Sequence, residues 1–137
     1  MNITLPGSES TAAAMNAERI RMEVASQNIA NARVTKTEGG EAYRRQQVVF
    51  ESVLQDSQNA IQSVQVARIE EDKSPFKRVF DPEHPDASAD GYVEYPNVDV
   101  NREMVDLMMA SRAYEANVAA MKFSRTMATE ALSIGKR

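Results

Sequence analysis

Apolar residues recur at helical spacing near both ends of the chain and at strand-like spacing only between them. From about Ser10 to Asn31 the pattern predicts a helix, with Ser8, Ser10 and Thr11 as N-cap candidates ahead of the strong helix formers Ala12-Ala13-Ala14. A second helix is predicted from about Asn101 to Gly135. Asp99 or Asn101 can cap its start, Glu103 suits its first turn, and neither Gly nor Pro interrupts it before Gly135. Between them, Tyr43–Phe50 (YRRQQVVF), Val64–Glu70 (VQVARIE) and a short stretch at Gly91–Tyr95 read as strands. Alternation in the second of these slips between Val66 and Ile69. Glu51–Ser63 is polar and reads equally as helix or loop, and prolines 75, 82, 85 and 96 punctuate the remainder into turns. The expected organisation is an N-terminal helix (1–33), a β-rich middle (34–98) and a long C-terminal helix (99–137). The fold is mainly α, with the two helices pairing as a coiled-coil-like hairpin.

Each helix carries more apolar surface than one partner needs. Residues placed at ~100° steps split the C-terminal helix into two stripes ~140° apart. One holds Leu107, Ala110, Tyr114, Val118, Met121, Ala128 and Leu132; the other holds Val105, Met109, Ala113, Ala116, Ala120, Phe123, Met127, Ala131 and Ile134. The N-terminal helix repeats this more weakly, with Ala13, Ala17, Ile20 and Val24 on one line and Met15, Met22, Ala25, Ile29 and Ala32 on another. Pairing the helices buries one stripe of each. The alternative is that the middle zone folds back over the second stripes, although it reads as too thin to blanket so long a helix. At 1.5 Å per residue the C-terminal helix runs roughly 50 Å, against about 35–40 Å for a compact globule of this chain length. Something beyond the chain itself is expected to cover it.

Composition sharpens this picture by exclusion. The 137 residues contain no Cys, which removes disulfides, thiolate ligands and Cys nucleophiles. The net charge of −4, without a dense Lys/Arg patch, argues against nucleic acid or an anionic membrane as partner. No 18-residue apolar run is present, and Met1–Ser10 lacks the basic-then-apolar order of a secretory signal. The eight Met residues, with Ala enriched near the ends, suit close and adaptable helix packing.

Convergent chemistry is scarce. His84, the sole histidine, sits in the turn Asp81-Pro82-Glu83-His84-Pro85-Asp86, where a solvated loop role outweighs a base or metal role. Asp86-x-Ser88-x-Asp90-Gly91 matches half of a calcium loop, but Asn97 stands where a bidentate Glu is needed, and an Asx-rich turn explains the same residues. Gly39-Gly40 is an isolated pair and not a phosphate cradle. Arg44-Arg45 reads as edge charge that discourages unwanted strand pairing. No catalytic site, cofactor or metal is expected. This scarcity argues against a small hydrolase built on the acidic middle zone, and favours a structural subunit or a stand-alone adaptor that binds a partner helix.

Several segments carry a resemblance. They are Ala25–Val34 (ASQNIANARV) with its Asn28 and Asn31 pair, Tyr43–Phe50, and Ser74–Phe80 (SPFKRVF) followed by Asp81-Pro82 and His84-Pro85-Asp86-Ala87. Gly91-Tyr92-Val93, Pro96-Asn97-Val98, Glu103-Met104-Val105-Asp106 and Ala110–Val118 (ASRAYEANV) complete the set. In this order, from about Ala12 to Gly135, the chain resembles the rod and hook axial proteins of the bacterial flagellum, and the proximal rod in particular. It departs from them in Phe50–Gln65, which lacks a Gly-rich turn, and in Met1–Thr11.

The resemblance implies a non-enzymatic subunit of the basal-body rod, a helical tube that crosses the periplasm and carries torque from motor to hook. It implies export by the flagellar type III apparatus without a cleaved signal peptide. The implied partners are its own copies, other rod proteins, the basal membrane ring and the rod–ring junction protein, with no nucleic acid and no membrane insertion. The residues expected at the assembly interface are Met15, Ile20, Met22, Val24, Asn28, Ile29 and Asn31 from the first helix. From the second they are Leu107, Met109, Tyr114, Val118, Met121, Phe123, Met127 and Leu132. Asn28 and Asn31 are further expected to cap the first helix and fix the chain's exit.

Overall fold

A computed structural model describes residues 7–56 and 61–135. Helix α1 spans Ser8–Ala30 and helix α2 spans Val100–Gly135, with strands β1 (Gln46–Asp56), β2 (Ile61–Glu71), β3 (Lys77–Phe80) and β4 (Tyr92–Tyr95) between them. The strands form two separate antiparallel pairs, β1 with β2 and β3 with β4. Among the described residues no helix is long and apolar enough to cross a membrane.

Both helices begin close to their expected starts, but with different caps. At α2, Asp99 Oδ1 accepts from the backbone N–H groups of Asn101 at 3.0 Å and Arg102 at 3.4 Å, so Asp99 satisfies donors that the first turn leaves orphaned. At α1 the N-cap is Gly7, in the left-handed region at φ +88. Ser8, Ser10 and Thr11 all lie inside the helix, where the Thr11 hydroxyl donates back to the Gly7 carbonyl at 2.9 Å.

The segment Glu51–Ser63, ambiguous by pattern, belongs largely to the paired strands β1 and β2, with 57–60 outside the described residues. Partners run from Gln46↔Glu71 and Val49↔Arg68 directly to Phe50↔Val66, so Ala67 is an extra residue in β2. A bulge of this kind shifts the side-chain phase by one, which is the slip in alternation between Val66 and Ile69. Strand β3, not anticipated, pairs with β4 through Val79↔Val93 and Phe80↔Tyr92.

The helices run in opposite directions, with Asn28 meeting Glu103 and Arg21 meeting Asp106. The β1–β2 hairpin lies along α1: Gln46 sits against Asn28 at one end, and the Ser10 hydroxyl donates to the Gln62 carbonyl at 3.2 Å at the other. With strands of 11 residues, about 36 Å at 3.3 Å per residue, the hairpin is as long as α1 at about 34 Å. The hairpin therefore covers α1, whose two stripes are both at least half-buried. The expectation of a bare stripe on α1 is corrected accordingly.

For α2 the outcome is different. Among the described residues, α1 alone of the other elements packs along it. Its covered line follows Glu103, Leu107, Ala110, Tyr114, Asn117, Met121, Ser124 and Ala128, alternating four- and three-residue steps. At 36 residues, about 54 Å, α2 outruns α1 by roughly 20 Å. Buried residues include Val24, Ala25 and Asn28 in the C-terminal half of α1, Glu103 and Ala110 in the first third of α2, and Val93 and Val98 ahead of α2.

Candidate assembly surface and the polar latch behind it

Asn28 is 0% exposed and meets its full hydrogen-bonding capacity within the chain. Its Nδ2 donates to the Gln46 carbonyl at 2.8 Å and to Glu103 Oε2 at 3.1 Å; its Oδ1 accepts from the Gln46 N–H and from the Tyr43 hydroxyl, both at 2.9 Å. The side-chain amide thus pairs with both backbone groups of Gln46, as a neighbouring strand would. Because Gln46 N–H can only donate and its carbonyl can only accept, the amide orientation is fixed. Asn28 does not cap α1. It joins α1, the entry to β1 and α2.

Glu103, 1% exposed, is the other half of the latch. Its Oε1 accepts from Arg45 Nε at 2.5 Å. Arg45 reaches Asp72 Oδ2 at 3.4 Å, and its backbone N–H donates to Asn97 Oδ1 at 2.8 Å. Asn97 Nδ2 in turn donates to the carbonyls of Asp72 at 3.0 Å and Ser74 at 3.1 Å. Burial opposes the charge on Arg45, but the hydrogen bond and charge of Glu103 outweigh it and hold the guanidinium above its usual range. Burial likewise pushes the Tyr43 hydroxyl up, with the charges of Glu103 and Glu71 adding to it. The hydrogen bonds from the Ser74 hydroxyl and N–H, with Arg45 nearby, hold the Asp72 carboxyl below its usual range. Arg45 is therefore no edge charge, and Arg44 stacks over the Phe76 ring at 4.2 Å while donating to the Ser74 carbonyl at 3.2 Å.

Asn31 does act as expected at the helix end, its Nδ2 donating to the Gln27 carbonyl at 2.9 Å. In the Pro-rich turn, His84 Nδ1 accepts the Asp86 N–H at 3.0 Å, and the Thr35 hydroxyl donates to Asp86 Oδ2 at 2.7 Å, tying the turn to the segment after α1. Among the described residues no group of three or more His, Cys, Asp or Glu is placed to hold a metal ion.

The residues expected at an interface fall into two groups. Val24 and Asn28 are buried, and Met15, Ile20, Met22, Ile29, Asn31, Leu107, Tyr114, Val118 and Met121 are half-buried. Their cover comes from the chain itself. Met109, Phe123, Met127 and Leu132 are exposed; Met109, Phe123 and Met127, with Val105 and Ile134, mark a line down α2 that no other element among the described residues covers, whereas Leu132 lies on the other line, beyond the reach of α1. Phe123 is 69% exposed and Ile134 73%. From Val105 to Ile134 the stripe includes no charged residue. So long an exposed apolar strip is unusual on a soluble monomer.

Pattern reading missed the latch as a unit, because Tyr43, Arg45, Asp72, Asn97 and Glu103 are scattered over 61 positions of sequence and meet only in the fold. The available signal was a carboxylate, Glu103, on the inward line of α2, seven residues before Ala110.

Comparison with known proteins agrees with this architecture. The family model "Flagellar basal body rod FlgEFG protein C-terminal" matches residues 89–134, which hold β4 and nearly all of α2. The flagellar basal-body rod protein FlgC of Bacillus subtilis is 44% identical over 141 aligned positions, covering 92% of this chain and 94% of the relative. FlgC of Borreliella burgdorferi is 43% identical, covering 88% and 90%, and FlgC of Salmonella typhimurium is 41% identical, covering 90% and 91%. A chain with such identity over about nine-tenths of its length, two antiparallel helices and a bare apolar stripe belongs to the FlgC family of flagellar basal-body rod proteins, and it is a structural subunit and not an enzyme.

Proposed function

We propose that the chain is a proximal-rod subunit whose bare α2 stripe is buried by adjacent subunits, and that the rod carries torque through the rigidity of this packing. The observation that carries the reading is the uncharged, unpartnered line from Val105 to Ile134 on a helix longer than the body that supports it. Each large side chain on it gains about 1.5–3 kcal/mol on burial, a strong drive towards association. The four-three spacing of the covered line from Glu103 to Ala128 is that of a coiled-coil seam, which supports a coiled-coil-like pairing of α1 and α2. Ala113, Ala116 and Ala120 allow close approach of a second element, and Met109 and Met127 adapt to neighbours that are related but not identical.

In this reading the neighbours are its own copies and other rod proteins, with the membrane ring and the rod–ring junction protein at the base. The subunit reaches a periplasm-crossing rod through the flagellar type III apparatus without a cleaved signal. The test is Phe123→Asp. Phe123 faces away from α1, so the fold survives while a charge enters the seam, unlike Met121, which is half-buried on the covered line. Motility is expected to be lost with synthesis and solubility unchanged. Normal swimming by that variant refutes the role.

A further inference from the structure

We infer that the bare α2 stripe is covered by the uncharged face of the β1–β2 hairpin of a second copy of this chain, a head-to-tail contact; this rests on the rod-subunit reading above. The ladder puts Val48, Phe50, Ser52 and Leu54 of β1 opposite Ile69, Val66, Val64 and Gln62 of β2, so all eight share one face. Six of the eight are apolar and none is charged. Leu54 is 54% exposed, Ile69 49% and Val64 45%. The opposite face carries the charges, with Gln65 Nε2 donating to Glu51 at 2.7 Å, and Gln47 Nε2 and Arg68 donating to Glu70 at 3.0 and 3.1 Å.

Elimination leads to the same pairing. A stripe that met its own kind across a two-fold axis would make a closed dimer, whereas an open helical array needs two different surfaces on each subunit. Helix α1 offers none, because α2 and the hairpin flank it on both sides. Among the described residues, Val79, Phe80 and Tyr92 on β3 and β4 span only four-residue strands and are crossed by Arg78, which sits 4.7 Å over the Tyr92 ring, while Val100, Met104 and Met108 lie on α2 itself, beside the stripe. The hairpin face resembles the stripe in being free of charge from Val48 to Leu54, a run of about 23 Å at 3.3 Å per residue, enough to cover about half of the roughly 44 Å from Val105 to Ile134. Within one chain the two surfaces do not meet, since α2 packs on neither β1 nor β2.

The absence of Cys makes the test clean. The full chain is expressed in a flagellated host lacking its own copy, as Val64→Cys, as Ala120→Cys and as the double variant. Basal bodies are isolated and treated with a short bis-maleimide. The expected result is no self-linked product from either single variant and a ladder of two or more linked copies from the double variant. Dimers from Ala120→Cys alone, or from Val64→Cys alone, overturn the head-to-tail pairing in favour of like meeting like. A product joining this chain to a different rod protein, or no product from basal bodies that contain the chain, overturns it in favour of another occupant. Failure of the unsubstituted chain to enter basal bodies at all overturns the rod-subunit reading instead, so the two failures are distinct.

Discussion

Replacing Asn28 with Ala should destabilise the chain more than any other single truncation on α1. The change strands four groups at once: the Gln46 N–H and carbonyl, the Tyr43 hydroxyl and Glu103 Oε2. A buried polar group left without its partner costs about 1–3 kcal/mol. Tyr43 can turn to water and Glu103 keeps Arg45, so the two backbone groups and part of the Glu103 deficit set the scale, at about 3–5 kcal/mol. Folded domains hold only about 5–15 kcal/mol in total, and each lost kcal/mol lowers the melting temperature by roughly 3–5 °C at this chain length. Thermal unfolding followed by far-ultraviolet circular dichroism should therefore shift down by on the order of 10 °C or more. Asn28→Asp sharpens the test: it keeps the shape but aims an acceptor at the Gln46 carbonyl and at Glu103, so near neutral pH it should be at least as damaging as Ala. A shift below about 1 kcal/mol for Asn28→Ala, or a milder effect from Asp than from Ala, refutes the latch as described.

Two further perturbations follow from local geometry. Gly91 stands at φ +76 with an added Cβ 2.9 Å from Phe80 Cε2, so Gly91→Ala should destabilise by about 1–3 kcal/mol and disturb the Phe80–Tyr92 ring contact; an unchanged urea midpoint contradicts this. Asp72 has its carboxyl depressed below the ordinary value of 3.8 in the folded chain by the Ser74 hydrogen bonds and Arg45. A group depressed on folding contributes stability above its unfolded value and loses it as pH falls further. Urea midpoints should accordingly drop as pH falls below about 4, and Asp72→Asn should flatten that limb; an acid limb identical to the unsubstituted chain's contradicts the assignment.

The helices were legible because a 3.6-residue period survives over 23 and 36 residues, and the excess stripe on α2 was legible because nothing charged intrudes on it. The hairpin was obscured by its composition. Its many polar positions make Glu51–Ser63 read as helix or loop, and the extra Ala67 breaks the alternation that betrays a strand. Strand β3 has four exposed residues and no apolar rhythm to detect. The cover over α1 followed from the hairpin's length and was lost with it. In the latch, Asn28 and Glu103 lie 75 positions apart, and no local pattern links a polar helix residue to a distant carboxylate. What singles them out is that each is polar on a line otherwise turned inward.

The account turns on α2 presenting a stripe that its own chain leaves bare and that the rod covers. Thiol labelling of Phe123→Cys and Ile134→Cys, with the purified chain and isolated basal bodies compared under one reagent, measures this directly, because no native Cys competes. Burial at a dry seam slows such labelling by about tenfold or more, since access then requires opening of the packed interface. The expected result is fast labelling of the free chain and strong protection in the basal body. Equal labelling in both states, or protection already complete in the free chain, contradicts the account.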